Sequence, residues 1–197
     1  MPRFRMLTSA KVVKADSAGE EKLNMLIRKA IKEDIPKVAE IYEAIHDGEA
    51  NGKFHTGWMP GVYPVRETAE VALERGELFV AEREGKIVGS AKINDLQEEC
   101  YYSMPWMYPA EDGEVLVIHT LVVNPECNNI GVGGALLEYY EAMAREQGKK
   151  VLRLDTQERN VRARAFYRKR GYREIGIAGC VFNGIPNVRL VMLEKKI

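Results

Sequence analysis

The sequence predicts an α/β (α+β) protein: one mixed central β-sheet of about six to seven strands flanked by about four helices, with a parallel strand pair near its middle. Three observations predict it. Two hairpin signals, one around Glu84-Gly85 and one around Asn183-Gly184, mark antiparallel pairs toward either end of the chain. Between them, residues 114–155 read as strand, helix and strand, and a unit of that length implies a parallel pair with a right-handed crossover. Stretches of helical period fill the intervals that remain.

Composition bounds the rest. A chain of 197 residues, 46% hydrophobic and 29% charged, can bury one sizeable core, so one domain is expected. Lys plus Arg equals Asp plus Glu at 29 each, which leaves no net field to attract nucleic acid or an anionic membrane. Any polyanion must therefore be gripped locally. No run reaches the roughly 18 to 20 apolar residues of a membrane-spanning helix, and no signal-peptide stretch follows Met1, so a cytoplasmic protein is expected. Cys100, Cys127 and Cys180 are odd in number and far apart, which suits free thiols. They form no ligand spacing with His46, His55 or His119, so no metal is expected.

Residues 1–24 mix polar, small and charged types and read as a leader or loosely docked arm ahead of a domain over 25–197. Leu26 to Ala30 is a first strand, and a helix follows with Pro36 in its first turn and Ile35, Val38, Ile41, Tyr42 and Ile45 on one face. Residues 48–64, rich in Gly, Pro and aromatics, form a loop or broken helix. A second helix covers about 66–74 and stops at Gly76; strands at 78–83 and 86–93 make the first hairpin. Residues 97–112 form an aromatic insertion where a short loop would have sufficed. A β-forming run at 114–123 stops at Asn124-Pro125, an amphipathic helix fills 131–147, and 151–155 is a buried strand. A helix over 160–170 and two antiparallel strands, 172–181 and 187–195, close the chain.

The most informative stretch is Leu121-Val122-Val123-Asn124-Pro125-Glu126-Cys127-Asn128-Asn129-Ile130-Gly131-Val132-Gly133-Gly134. A strand ends, a polar turn follows, and a helix opens on glycines, so that bare backbone N–H groups converge with the positive end of the helix dipole. Such a geometry binds a diphosphate; the same glycines could instead serve close packing of helix on strand. A P-loop would need Lys and Ser or Thr where Ala135 and Leu136 stand. A dinucleotide fingerprint would need Gly or Ala at Leu136, and its one supporting feature, an acidic residue about 20 positions on, is Asp155, read here as a strand-end residue.

Asn128-Asn129-Ile130-Gly131-Val132-Gly133 resembles the acetyl-coenzyme A motif of the GNAT superfamily of N-acetyltransferases, Arg or Gln, two residues, Gly, one residue, Gly or Ala. It departs in having Asn128 where Arg or Gln is usual. Asn160-Val161-Arg162-Ala163 with Tyr167 and Gly171-Tyr172 is similar to the family's closing signature, and the likeness runs from about residue 25 to residue 195. The resemblance implies the GNAT fold, an acyltransferase activity and acetyl-coenzyme A as cosubstrate. It implies that the amides of Asn129, Ile130, Gly131, Val132, Gly133 and Gly134, with Asn128 beside them, take the diphosphate. Leu121, Val122 and Val123 would pair with the pantetheine arm as an added strand. Asn160 would either reach the cofactor or cap its helix.

By the same resemblance Tyr167 is the expected acid for the departing thiolate, against the plainer role of a core aromatic beside Phe166. His119, in the strand just before the cofactor edge, is the expected base, against an ordinary half-buried histidine. Glu114 is a weaker second choice, and Val117 stands where other members carry Glu. The basic run Arg159, Arg162, Arg164, Arg168, Lys169 and Arg170 would meet the 3′-phosphate or form a solvated face. Trp58, Tyr63, Trp106 and Tyr108 would wall the acceptor site, with Asp47 and Glu49 holding a cation, or would form a satellite cluster or a homodimer contact. The expected reaction is acetyl transfer to a primary amine of a small molecule or peptide by direct attack in a ternary complex. The competing readings are a non-catalytic acyl-coenzyme A or protein-binding module, favoured by the absent Glu and the substituted Asn128, and a dinucleotide-dependent enzyme.

Overall fold

The computed structural model describes residues 11–15 and 23–197. Its strands are β1 (Lys11–Ala15), β2 (Leu23–Lys29), β3 (Leu78–Arg83), β4 (Lys86–Asn94), β5 (Val115–Val123), β6 (Val151–Gln157), β7 (Arg173–Phe182) and β8 (Ile185–Lys196). Its helices are α1 (Ile35–Ala50), α2 (Arg66–Glu74), α3 (Val132–Glu146) and α4 (Val161–Arg168). All eight strands join one sheet in the order β1-β2-β3-β4-β5-β6-β8-β7. Neighbours run antiparallel except β5 and β6, the parallel pair that the strand-helix-strand pattern implies. The eighth strand, β1, falls within the stretch read as an arm, and β2 opens at Leu23 in its last two residues; residues 1–10 and 16–22 of that arm lie outside the described residues. Among the described residues no helix is long and apolar enough to cross a membrane.

Strand alternation sends successive side chains to opposite faces, and both faces are covered. Phe79 and Ala81 pack with Leu136, Leu137 and Tyr140 of α3, while Leu78 and Val80 pack with Val38, Ile41 and Tyr42 of α1 and Ala69 and Ala72 of α2. A third cluster joins Val115 and Val117 of β5 to Tyr101 in the aromatic insertion and to Val188, Leu190 and Met192 of β8. Pro36 sits in the first turn of α1, where its missing N–H is no loss. The β7–β8 turn is Asn183 and Gly184, with φ of 49° and 80°, so Ile185 and Pro186, read from sequence as turn, already belong to β8.

One irregularity shapes the site. On β4 the step from Ser90 to Lys92 lies opposite the longer step from Val122 to His119 on β5, so β5 carries an extra residue. The bulge centres on Thr120, whose φ of 49° is left-handed and unusual for a β-branched residue. Its effect is a change of phase. Before it, Leu116 and Ile118 face the α3 core; after it, Leu121 and Val123 do, and Val122 turns to the α1 side.

Candidate active site

The parallel pairing of β5 with β6 covers only Val115↔Val151, Leu116↔Leu152 and Val117↔Arg153. Beyond it the strands diverge. Ile118, His119, Thr120 and Leu121 then face Asp155, Thr156 and Gln157 across a cavity of about 100 Å³, closed by Trp58, Tyr63, Phe182 and Tyr167. A hydrogen bond from Tyr63 to Thr120 Oγ1, in which either hydroxyl can donate, holds the bulge against the 51–65 loop.

Sharing Leu121, Asn160 and Tyr167 with this cavity, a groove of about 590 Å³ lies along the end of β5 and the start of α3. Leu121, Val122, Val123, Asn128, Asn129, Gly131, Val132, Gly133 and Gly134 line it, with Asn160 and Tyr167 opposite. Of the expected cofactor residues only Ile130 is not in its wall, being packed against the core. Gly131 precedes α3 with φ of 87°, a left-handed conformation that side chains resist. The first bond closing the helix runs from Ala135 N–H to the Gly131 carbonyl at 2.9 Å, so the N–H groups of Val132, Gly133 and Gly134 have no acceptor within α3. A Cβ on Gly133 would stand 3.4 Å from the Phe166 ring, narrowing the groove. Bare donors at a positive helix end suit a diphosphate without any side chain. Lys53, Phe54 and His55 form the other wall, and Glu49 fixes that loop by accepting from Thr56 N–H at 2.6 Å, Thr56 Oγ1 at 2.9 Å and Gly57 N–H at 3.2 Å.

Tyr167 lines both the groove and the inner cavity. Burial, then the nearby charge of Asp155, push its phenol above the usual range, so it stays protonated at neutral pH. Asp155, which sequence reasoning passed over as a strand-end residue, faces the same cavity. Burial raises its carboxyl to about 7; a bond from Tyr101 Oη to Oδ2 at 2.8 Å works against the rise, and the charge of Glu98 adds to it. The chamber is thus bordered by a carboxyl held near neutrality and by a phenol that stays protonated.

His119 also borders the cavity, but its ring is tied down. Asn94 Nδ2 donates to Glu77 Oε2 at 2.9 Å, which turns Asn94 Oδ1 toward His119 Nε2 at 3.0 Å; the Leu96 carbonyl lies 3.2 Å from the same nitrogen. Two acceptors put the proton on Nε2. Nδ1 lies 3.7 Å from Glu98 Oε1. Burial first, and Lys92's charge second, lower the imidazole to about 3, so the ring is neutral at physiological pH. His119 and Tyr63 also border a second pocket of about 380 Å³ that holds Lys92, Arg75 and Glu98.

The remaining expected residues divide. Trp58 and Tyr63 line the inner cavity with rings edge-on at 6.0 Å. Trp106 and Tyr108 line none of these three cavities: Trp106 donates to the Tyr101 carbonyl at 2.7 Å and lies under Arg153 at 4.2 Å, and the Tyr108 carbonyl accepts from Arg153 at 3.2 Å. Asn160 caps α4, its Oδ1 accepting from Ala163 N–H at 3.1 Å, and the residue borders both cavities. Glu114 is paired with Lys150, which lowers its carboxyl. The basic run splits as well. Arg164 and Arg168 bind Glu174 at 2.8 and 3.2 Å, whereas Arg162, Lys169 and Arg170 face the groove.

Residues 23–172 match the model of the acetyltransferase (GNAT) family. An amino-acid acetyltransferase from Pseudomonas putida (strain GB-1) is 33% identical over 114 residues, 57% of this chain and 22% of that protein. The chain thus spans about a fifth of the length of such relatives. Protein YxbD from Bacillus subtilis (strain 168) is 51% identical over 85 residues, 43% of this chain and 50% of that one. Among solved structures, a GNAT-family acetyltransferase from Streptococcus agalactiae 2603 superposes with a TM-score of 0.71 at 23% identity, over 88% of this chain and 95% of that one.

Proposed function

Because the chain belongs to the acetyltransferase (GNAT) family, we propose that it carries an acetyl group from acetyl-coenzyme A to a primary amine, by direct attack in a ternary complex. The observation that carries this reading is the shared wall of groove and chamber: Thr56, Trp58, Leu121, Asn160, Ala163 and Tyr167 line both. The groove holds the start of α3 and the edge of β5, and the chamber that adjoins it is bordered by both Asp155 and Tyr167. The amides of the 129–134 loop would take the diphosphate and Leu121 to Val123 would take the pantetheine arm. The matched amino-acid acetyltransferases support an amine as acceptor.

In this reading an ammonium acceptor enters the chamber and gives one proton to the Asp155 carboxylate. The free amine attacks the thioester carbonyl, forming a carbon–nitrogen bond. Collapse breaks the carbon–sulfur bond and expels the thiolate, which takes the phenolic proton of Tyr167; the proton shed by the new amide nitrogen refills the phenol. His119, neutral and fixed, shapes the chamber wall and hands the base role to Asp155. The presence of that carboxyl favours catalysis over a non-catalytic acyl-coenzyme A module, since it supplies the base missing at Val117. Mixing the protein with acetyl-coenzyme A and a panel of amines, and following free thiol, tests the proposal. Tight binding of acetyl-coenzyme A with no thiol release across amines, amino acids and peptides would replace it with the binding-module reading.

A further inference from the structure

We infer that Arg162, oriented by Asn128, is the cation that meets the diphosphate of the cosubstrate, a charge moved from the glycine loop onto α4. The inference rests on the acetyl-coenzyme A reading above. At position 128, where the motif usually supplies a long polar side chain, the short amide is turned back on its own loop: Nδ2 donates to the Pro125 carbonyl at 2.6 Å. Its Oδ1 accepts from Arg162 Nη2 at 3.3 Å, and both residues border the groove beside the glycine amides. Asn128 therefore points a donor away from the ligand and an acceptor toward a guanidinium.

The other cations of α4 show why Arg162 is distinct. Arg164 and Arg168 are neutralised by Glu174, but no carboxylate pairs with Arg162 among the described residues. A neutral amide oxygen orients a guanidinium without cancelling its charge, and the remaining N–H groups of the planar fork stay available for phosphate oxygens. Lys53, Lys169 and Arg170 also line the groove. Arg170 is stacked on the Phe166 ring at 3.9 Å and donates to the Phe166 carbonyl at 3.4 Å, whereas Arg162 is hydrogen-bonded to the glycine loop itself through Asn128.

Calorimetric titration of the purified protein with acetyl-coenzyme A and with acetyl-dephospho-coenzyme A tests this. Arg162→Ala should weaken both ligands about tenfold, the size of one lost charge-assisted contact, and Asn128→Ala about threefold. In turnover the KM for acetyl-coenzyme A should rise while kcat at saturation holds. Asn128→Arg placed in the Arg162→Ala background should restore most of the affinity. Unchanged affinity in Arg162→Ala, a loss confined to the ligand bearing the 3′-phosphate, or no rescue by Asn128→Arg would each overturn the inference while leaving the enzyme assignment standing. Wild-type protein that ignores both ligands would remove the enzyme assignment, and this inference with it.

Discussion

Asp155 on β6 and Tyr167 on α4 border one chamber, and the carboxylate helps to keep the phenol protonated. The form of Asp155 able to accept a proton is also the form that keeps Tyr167 protonated. Tyr167→Phe should therefore lower kcat about 100-fold with little change in the KM for acetyl-coenzyme A. Steady-state thiol release reads both parameters, and a variant that keeps full turnover would assign Tyr167 to packing beside Phe166 and Tyr172.

Because Asp155 titrates near 7, kcat/KM should fall as pH drops through about 7 and plateau above it. His119→Gln should keep that limb, since the imidazole titrates near 3 and is neutral throughout. A limb that disappears in His119→Gln, and survives in Asp155→Asn among whatever residual activity remains, would exchange the two roles.

The same carboxyl should cost stability. Its folded value lies above its unfolded one, so the stability it lends is complete below the unfolded value, near 4, and is lost as pH rises through about 7. Asp155→Asn should be far less active yet more stable than the parent at pH 8, by on the order of 2 kcal/mol once its part-exposure to the chamber is discounted. Urea unfolding at pH 5 and pH 8 measures this, and the gap should be wider at pH 8.

Gly133→Val should close the groove rather than unfold the helix, because the added carbons stand against Phe166 at the N-terminal turn of α3. Affinity for acetyl-coenzyme A should drop by more than about tenfold with only a modest fall in Tm. Thermal unfolding with and without the ligand separates the two effects: the ligand-induced upward shift should vanish.

Away from the site, Arg153→Leu should destabilise the fold by roughly 3 to 5 kcal/mol, because it strips the counter-ion from Glu194, which is 0% exposed and 3.9 Å from Arg153 Nε. It also removes the cation stacked on Trp106 at 4.2 Å. Denaturant unfolding should register the loss while the groove residues keep their affinity for acetyl-coenzyme A.

The sequence made the repeating elements legible because their signals are local: Glu84-Gly85 and Asn183-Gly184 at hairpins, Pro36 at the start of α1, Asn124-Pro125 at the end of β5. The glycine loop was legible for the same reason. Asp155 was not, because its chemistry depends on the divergence of β5 from β6 and on a hydroxyl from Tyr101, 54 residues away. The fates of Trp106 and Tyr108 were hidden likewise, since a loop aromatic looks the same in sequence whether it meets a ligand or an internal arginine. The Thr120 bulge left no trace. The run Val115–Val123 is apolar almost throughout, so no alternation was visible to show where its phase changes.

Three rungs join β1–β5 to the remainder of the sheet, whereas β6 and β8 share seven. The molecule is thus two stiff panels sewn together by a short seam, and the opening beyond that seam is where a guest would lodge. Whatever fills it also stitches the panels, so amides near Val117 and Arg153 should exchange with deuterium more slowly in the loaded protein, even though no ligand atom need touch them.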